Sequence, residues 1–356
     1  MRGVPIVCTA AVALLPPTAG AAETPKERAR VHQLTVANKP WKGDFDRLLV
    51  RRMIRVLVPY SRTLYYVDRG RERGVTADAV REFEQWINRR YKTGKRPVTV
   101  YLVPTTRDKL LENVVDGWGD IAAGNLTVTP ERQRLVDFAV QTGRIVREVV
   151  VTGARAPPIA SLDELAGRTV HVRRSSSYYE SLAALNERLQ REGKPAVALQ
   201  LVPDALEDED MMEMANAGLI DLLVVDDWKA KVWAQILPRI AVRDDVCVKE
   251  AGQIGWAIRK DSPKLLAAFG EYHARYAQVR ARWEVRLAQA MSRAKQIQDP
   301  TRSADWKRFQ ELEALFRRYG ERYGFDPLML TAQGYQESAL DQAAKSPVGA
   351  IGVMQI

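Results

Sequence analysis

Cysteine and histidine are scarce. Cys8 and Cys247 are the two cysteines of the 356 residues. The first falls in an N-terminal apolar stretch that reads as a leader, where it sits too early to be a lipoprotein cysteine. One thiol is left, so no internal disulfide staples the mature chain and its stability has to come from buried core. The three histidines, His32, His171 and His273, lack metal-ligand spacing, so no metal site is expected. A phosphate loop, a nucleophile elbow and an internal repeat are missing as well, and no cofactor is expected. Long apolar runs are also lacking. Val4 to Leu15 is too short to span a bilayer and ends at Pro16-Pro17; with Met1-Arg2 before it and Ala19-Gly20-Ala21 after it, residues 1–21 read as a secretory signal peptide.

Acidic charge falls short of basic charge, 44 residues against 54, for a net of +10. Removing Arg2 with the leader leaves 53 basic residues against 44 acidic, a net of +9. A basic chain habitually meets nucleic acid, but an exported one rarely does, so nucleic acid is not an expected partner. Anionic envelope polymers and membrane surfaces are compatible with the surplus. The charge is spread through mixed clusters such as Arg69 to Arg73 and Arg89-Arg90, which read as solvated faces.

Residues 22–51 are polar and aperiodic and read as a linker. Order is expected from Ile54-Arg55-Val56-Leu57-Val58-Pro59-Tyr60, a strand apolar on both faces. Helix 77–91, strand 98–103, helix 107–116 and strand 120–124 follow, and the alternation continues to Tyr276. This is α/β architecture, with ligands expected at the carboxyl ends of strands. Met211, Met212 and Met214 read as packing residues.

Gly119-Asp120 followed by Asn125-Leu126-Thr127-Val128-Thr129-Pro130-Glu131-Arg132 and Val136-Asp137-Phe138 resembles the first lobe of type 2 periplasmic solute-binding proteins of the amino-acid-binding kind. The resemblance implies that Arg132 forks onto a ligand α-carboxylate, that Asn125 and Thr127 face the ligand, and that Tyr60 is an aromatic lid. Ser161 to Val170 resembles the lead-in to the second lobe. Ser175-Ser176-Ser177-Tyr178-Tyr179 opens a helix whose free N–H groups and hydroxyls suit an anion, which makes Ser176 and Ser177 ligand candidates. Gly218 to Asp227 matches the strand whose acid, here Asp226, holds the ligand's ammonium. The plain alternatives are that Arg132 pairs with Glu131 or Asp137 and that Asp226 or Asp227 caps the helix at Trp228. A two-lobed module over 52–276 follows, with lobe one at about 52–145 and 244–276 and lobe two at about 152–240. The hinges are placed near 146–152 and 240–243, and the ligand is a small zwitterion or a muropeptide.

Beyond it lie a helical connector at 277–303, with a helix at 279–296, and an amphipathic helix at 306–323 whose stripe of Phe309, Leu312, Phe316, Tyr319 and Tyr323 reads as core. Asp326-Pro327 reads as N-cap and first helical residue of a helix to about Ala339. Glu337 then falls in the last turn, where the helix dipole and burial both favour a protonated carboxyl. Glu337-Ser338, then Ser346-Pro347, Gly349-Ala350, Gly352 and Met354-Gln355, resembles the start of the soluble-lytic-transglycosylase domain, an α-helical, lysozyme-like fold, so residues 304–356 hold only its first helices. The resemblance implies that Glu337 is the sole catalytic acid/base and that Ser338, Ser346, Gly352, Met354 and Gln355 belong to the glycan groove. Asp341 reads as a solvated residue past the helix.

The two modules together resemble the membrane-bound lytic transglycosylase F family. This implies cleavage of the linkage between N-acetylmuramic acid and N-acetylglucosamine in peptidoglycan strands, with a 1,6-anhydro product, in the periplasm, and a peripheral association with the outer membrane is compatible. That family's later motifs lie past Ile356, so the 356 residues alone are expected to be catalytically incomplete. The other class of reading is a periplasmic amino-acid or muropeptide binding protein without catalysis.

Overall fold

The computed structural model describes residues 39–68, 70–275, 304–325, 327–338, 340–345 and 349–354. The signal peptide, the connector at 277–303 with its helix, Asp326, Ser346 and Gln355 lie outside them.

The elements of the first lobe are α1 (Phe45–Arg51), β1 (Met53–Val58), a hairpin of β2 (Tyr66–Asp68) and β3 (Arg71–Arg73), α2 (Val75–Arg90), β4 (Thr99–Pro104), α3 (Leu110–Asp116), β5 (Ile121–Thr127) and α4 (Pro130–Leu135). Residues 45–51 are therefore helix and not linker. Seven residues are too few for a period to show, and the helix is held from outside: the Asp44 carboxylate accepts from Phe45 N at 2.7 Å and from Lys264 N and Leu265 N at 2.8 and 2.9 Å. One side chain thus caps two helices.

The long strand β6 (Asp137–Thr152) leads into the second lobe, formed by β7 (Thr169–Arg173), α5 (Ser177–Arg191), β8 (Ala198–Val202), α6 (Asp208–Ala217), β9 (Leu222–Asp226) and α7 (Asp227–Trp233). The equally long β10 (Ala241–Ile258) returns antiparallel to β6, and α8 (Pro263–Arg275) closes back on the first lobe. Its Phe269 stacks on Phe83 of α2 with ring centroids 4.6 Å apart, which makes that lobe discontinuous in sequence.

The strand order is β4-β1-β5-β10-β6-β9-β7-β8. The outer strands are parallel within each lobe, and the two long strands run through both. On β6, pairing with β9 starts at Glu148. On β10, residues 241–249 lie along the second-lobe half of β6, and pairing with β5 starts only at Ile254. The return crossing is therefore later in the chain than residues 240–243, because an unbroken strand carries no turn signal where it changes lobe.

Asp120 anchors the floor of the first lobe. Its carboxylate accepts from Arg55 N at 2.8 Å and from the Arg55 guanidinium at 3.2 and 3.3 Å, and Arg259 lies 3.6 Å away. Met211 and Met212 are buried in the second-lobe core, as expected. Two further helices, α9 (Ala304–Tyr323) and α10 (Pro327–Ser338), carry the C-terminal segment. Of the expected stripe on α9, Leu312 is buried and Phe316 partly so, but Tyr319 and Tyr323 are exposed. No described helix is long and apolar enough to cross a membrane.

Candidate functional site

The carboxyl ends of β1, β5, β7 and β9 meet where the two lobes face each other. Strand β5 is distorted there. Its register against β10 jumps between Leu126 opposite Gly255 and Ala122 opposite Ala257, and Asn125 takes a left-handed φ of 55° that asparagine tolerates better than most residues. The bulge carries the Asn125 amide across the cleft, where Nδ2 donates to Asp226 Oδ2 at 2.5 Å. Thr127 is buried beside it and accepts at Oγ1 from the Ser177 hydroxyl at 3.2 Å.

Arg132 starts from a well-built position, since Pro130 opens α4 and the Thr129 hydroxyl accepts from Arg132 N. The residue is 7% exposed, and three of the guanidinium's N–H groups donate within the protein. Nε donates to Glu180 of α5 at 3.0 Å, Nη1 to Thr127 O at 3.1 Å, and Nη2 to Ser175 O at 2.9 Å. Burial, and then nearby Arg107, lower its pKa, opposed by Glu180. The pairing with Glu131 or Asp137 that sequence allowed is replaced by one across the cleft.

Asp226 is 1% exposed, and burial pushes its carboxyl up to about 6, with Asp208 and Glu148 adding to the rise and Lys229 opposing it. The Ser176 hydroxyl is used locally: it caps α5 by accepting from Tyr179 N and donates to Arg173 O. Tyr60, the expected lid, is 59% exposed at the cleft's outer end and edges against Tyr65. The structure thus gathers Asn125, Thr127, Arg132, Ser177 and Asp226, and leaves Tyr60 outside that buried group.

Several charged groups that the sequence reading did not select complete the interface. Arg107 of the first lobe forks onto Glu207 of the second, with Nε at 2.7 Å from Oε1 and Nη2 at 2.7 Å from Oε2. Burial opposes ionisation of Asp208, yet Arg173, Lys229 and Arg107 outweigh it and hold that carboxyl well below its ordinary range. Glu209 accepts from the Ser61 hydroxyl at 2.6 Å across the cleft, and its pKa is raised, first by burial and then by Glu207. The Tyr178 hydroxyl donates to Asp208 and accepts from Asp226 N. The signal for Glu148 was its sequence, a lone acid before the apolar run Val149-Val150-Val151.

The second candidate centre is at the C-terminus. Pro327 is the first residue of α10 and Glu337 lies in its last turn, as expected, but Glu337 is exposed. The Ser338 hydroxyl has one hydrogen and two carbonyls in reach, Gly334 O at 3.1 Å and Val353 O at 2.8 Å; the shorter contact ties the turn carrying Gly349 and Gly352 to the helix. Those two glycines have φ of 98° and 86°, which disfavour any side chain. Gly334 allows the approach, because a Cβ there would lie 2.8 Å from Val353. Met354 is partly buried against Leu312, Leu340 and Val353. Asp341 is half-buried and closes a local turn by accepting from Ala343 N.

A model of the bacterial extracellular solute-binding proteins, family 3, matches residues 54–279, and one of the transglycosylase SLT domain matches residues 314–356. Among curated proteins the chain is similar to "Membrane-bound lytic murein transglycosylase F" of Desulfosudis oleivorans, 27% identical over 258 residues, covering 70% of this chain and 54% of the relative. The protein of the same name from Ectopseudomonas mendocina is 26% identical over 332 residues, covering 89% of this chain and 63% of the relative. The chain thus spans a little over half the length of these relatives. Among solved structures, an amino acid ABC transporter substrate-binding protein from Streptococcus pneumoniae bound to L-arginine aligns with a TM-score of 0.54 at 17% identity, covering 70% of this chain and 97% of that one. A mutant of ArgBP from T. maritima gives 0.54 at 19%, covering 69% and 98%. At such identities the likeness concerns the fold.

Proposed function

The chain belongs to the bacterial extracellular solute-binding proteins of family 3, and from that premise we propose that its cleft binds a small ligand and regulates a peptidoglycan lytic transglycosylase. The segment at 314–356 supplies that enzyme's acid. The observation that carries the catalytic half is the Ser338 bridge, which fixes the position of Glu337 relative to the Gly349–Met354 turn. In this reading one carboxyl group does two jobs. Glu337 protonates the oxygen between N-acetylmuramic acid and N-acetylglucosamine, then as carboxylate takes the proton from the muramoyl C6 hydroxyl as that oxygen attacks C1. The product is a 1,6-anhydro sugar, and the second carboxylate of a paired-carboxylate hydrolase is not required. The similarity to the two lytic transglycosylases supports this reading, as does an N-terminal leader compatible with the periplasm.

Among the described residues nothing encloses exposed Glu337, and one acid without a groove does not position a glycan. We therefore expect no lysis of purified sacculi by the 356 residues alone. Joined to the C-terminal part of the Ectopseudomonas mendocina relative, they should release 1,6-anhydro muropeptides, and Glu337→Gln should reduce that release by a hundredfold or more. Reducing ends without anhydro product would overturn the transglycosylase assignment in favour of hydrolysis. The second reading, a binding protein without catalysis, is favoured by the contrast between the exposed Glu337 and the buried cleft. It stands if the joined protein binds muropeptides in calorimetry but never cleaves.

For the module, we propose that Asn125, Thr127, Arg132, Ser177 and Asp226 line the ligand cleft, and that ligand binding is transmitted through β6 and β10. Calorimetry of the chain with amino acids, amines and muropeptides tests it; no binding of any of them sinks the module reading.

A further inference from the structure

Glu148 occupies the point of β6 where pairing with the second lobe begins, directly opposite Asp226 of β9. It is fully buried and neither carboxylate oxygen has a hydrogen-bond partner, and Asp226 Oδ1 has none either. Three such oxygens on neighbouring residues are expensive to bury unless something positive sits against them. The cations whose charge reaches them, Arg132 for Glu148 and Lys229 for Asp226, donate to other groups. Among the described residues neither acid forms an ion pair, and the ammonium of Lys229, whose charge acts on Asp226, is bonded to Asp208. On the other side of the cleft the charge suited to a carboxylate is already paired, since the Arg132 guanidinium gives three of its five N–H groups to the protein, one of them to Glu180. The cleft therefore has unmet negative charge, and its guanidinium already has a carboxylate partner.

We infer that the cleft takes an organic cation, recognised through an ammonium or guanidinium group seated between Glu148 and Asp226, with no carboxylate of the ligand read by Arg132. The Glu180 carboxylate already accepts from Nε of that guanidinium at 3.0 Å. This rests on the module being a ligand-binding one and narrows what it binds. A charged group on each partner also gives the strong, charge-assisted hydrogen bonds that two facing carboxylates can accept together.

Calorimetry on the full chain with two matched pairs of probes, L-arginine against agmatine and L-lysine against cadaverine, isolates the carboxylate. Each amine is expected to bind at least as tightly as its amino acid. Glu148→Gln should weaken both amines tenfold or more. Glu180→Gln releases Arg132, so L-arginine should gain tenfold or more on agmatine. If Glu148→Gln does not fold, the Glu180→Gln comparison carries the test. An amino acid binding tenfold tighter than its amine in the unsubstituted chain overturns the inference, as does unchanged amine affinity in a folded Glu148→Gln chain or no gain in Glu180→Gln. If muropeptides bind and none of the four probes does, the inference falls while the module reading stands. If nothing binds, both fall.

Discussion

Asp226 couples binding to stability, and the sign can be worked out. Its folded carboxyl is raised from 3.8 to about 6 by burial, with Asp208 of α6 and Glu148 of β6 adding to the rise, and with Lys229 of α7 and Asn125 of β5 opposing it; Tyr178 of α5 also faces it. The folded state then holds a proton that the unfolded chain releases near pH 4, so stability falls as pH rises from about 4 to about 6 and stays lower above that. About two pK units correspond to on the order of 3 kcal/mol. Asp226→Asn should therefore be more stable than the parent at pH 7.5 by roughly 2–3 kcal/mol in urea denaturation, with the gap closing below pH 4. Equal stability at pH 7.5 would mean that the carboxylate is not penalised by its surroundings. Asp120 is the opposite case, a buried acid that two guanidinium groups require. Asp120→Ala leaves both without their anion and should cost about 3–5 kcal/mol. Gly119-Asp120 was legible as a family motif, but sequence could not separate this structural task from a ligand contact.

The Gly349–Met354 turn is pinned by the Gly352 N–H on Ala344 O, the bridge between Lys345 and Ile351, and one side chain of α10. Ser338 holds it through the contact with Val353 O and Gly334 by close approach. Ser338→Ala should cost about 1 kcal/mol and speed hydrogen exchange at Gly352 and Val353, while Gly334→Ala, which forces Val353 to move, should cost about 1–3 kcal/mol. Unchanged exchange in both variants would show that the turn is held by something else. These contacts also mark what was readable. The alternation of strands and helices and the last-turn position of Glu337 follow from periodicity and helix-start residues, whereas the discontinuous first lobe was implied by the resemblance. The seven-residue α1 did not, because its cap from Asp44 is shared with a helix more than 200 residues away. The partner of Arg132 did not either. Glu180 sits in a helical pattern as an ordinary polar residue, and only the folding of one lobe onto the other brings it to 3.0 Å.

At the scale of the molecule, the resemblance implied lobes that close when a ligand bridges them. In this chain the bridging groups are its own. Arg107 forks onto Glu207, Ser61 donates to Glu209, Trp233 Nε1 donates to Thr63 at 2.9 Å, and Leu64 and Val75 of the first lobe are buried in the second-lobe core. Opening would let water solvate both partners of the Arg107 pair, so that pair contributes little, whereas Leu64 and Val75, buried in the second-lobe core, lose about 1.5–3 kcal/mol each when exposed. A bias of 4 kcal/mol keeps the open form near one part in a thousand. The lobes should therefore be closed without ligand, and a cation would add charge balance to a closed cleft more than it would drive closure. Spin labels at exposed Val50 and Leu219, with Cys247 replaced by alanine, measure this directly. The expected distance distribution is narrow and the same with and without agmatine, and Arg107→Met should broaden it toward longer distances. A broad distribution in the unsubstituted chain that sharpens on adding agmatine would restore ligand-driven closure and remove the self-bridged clamp.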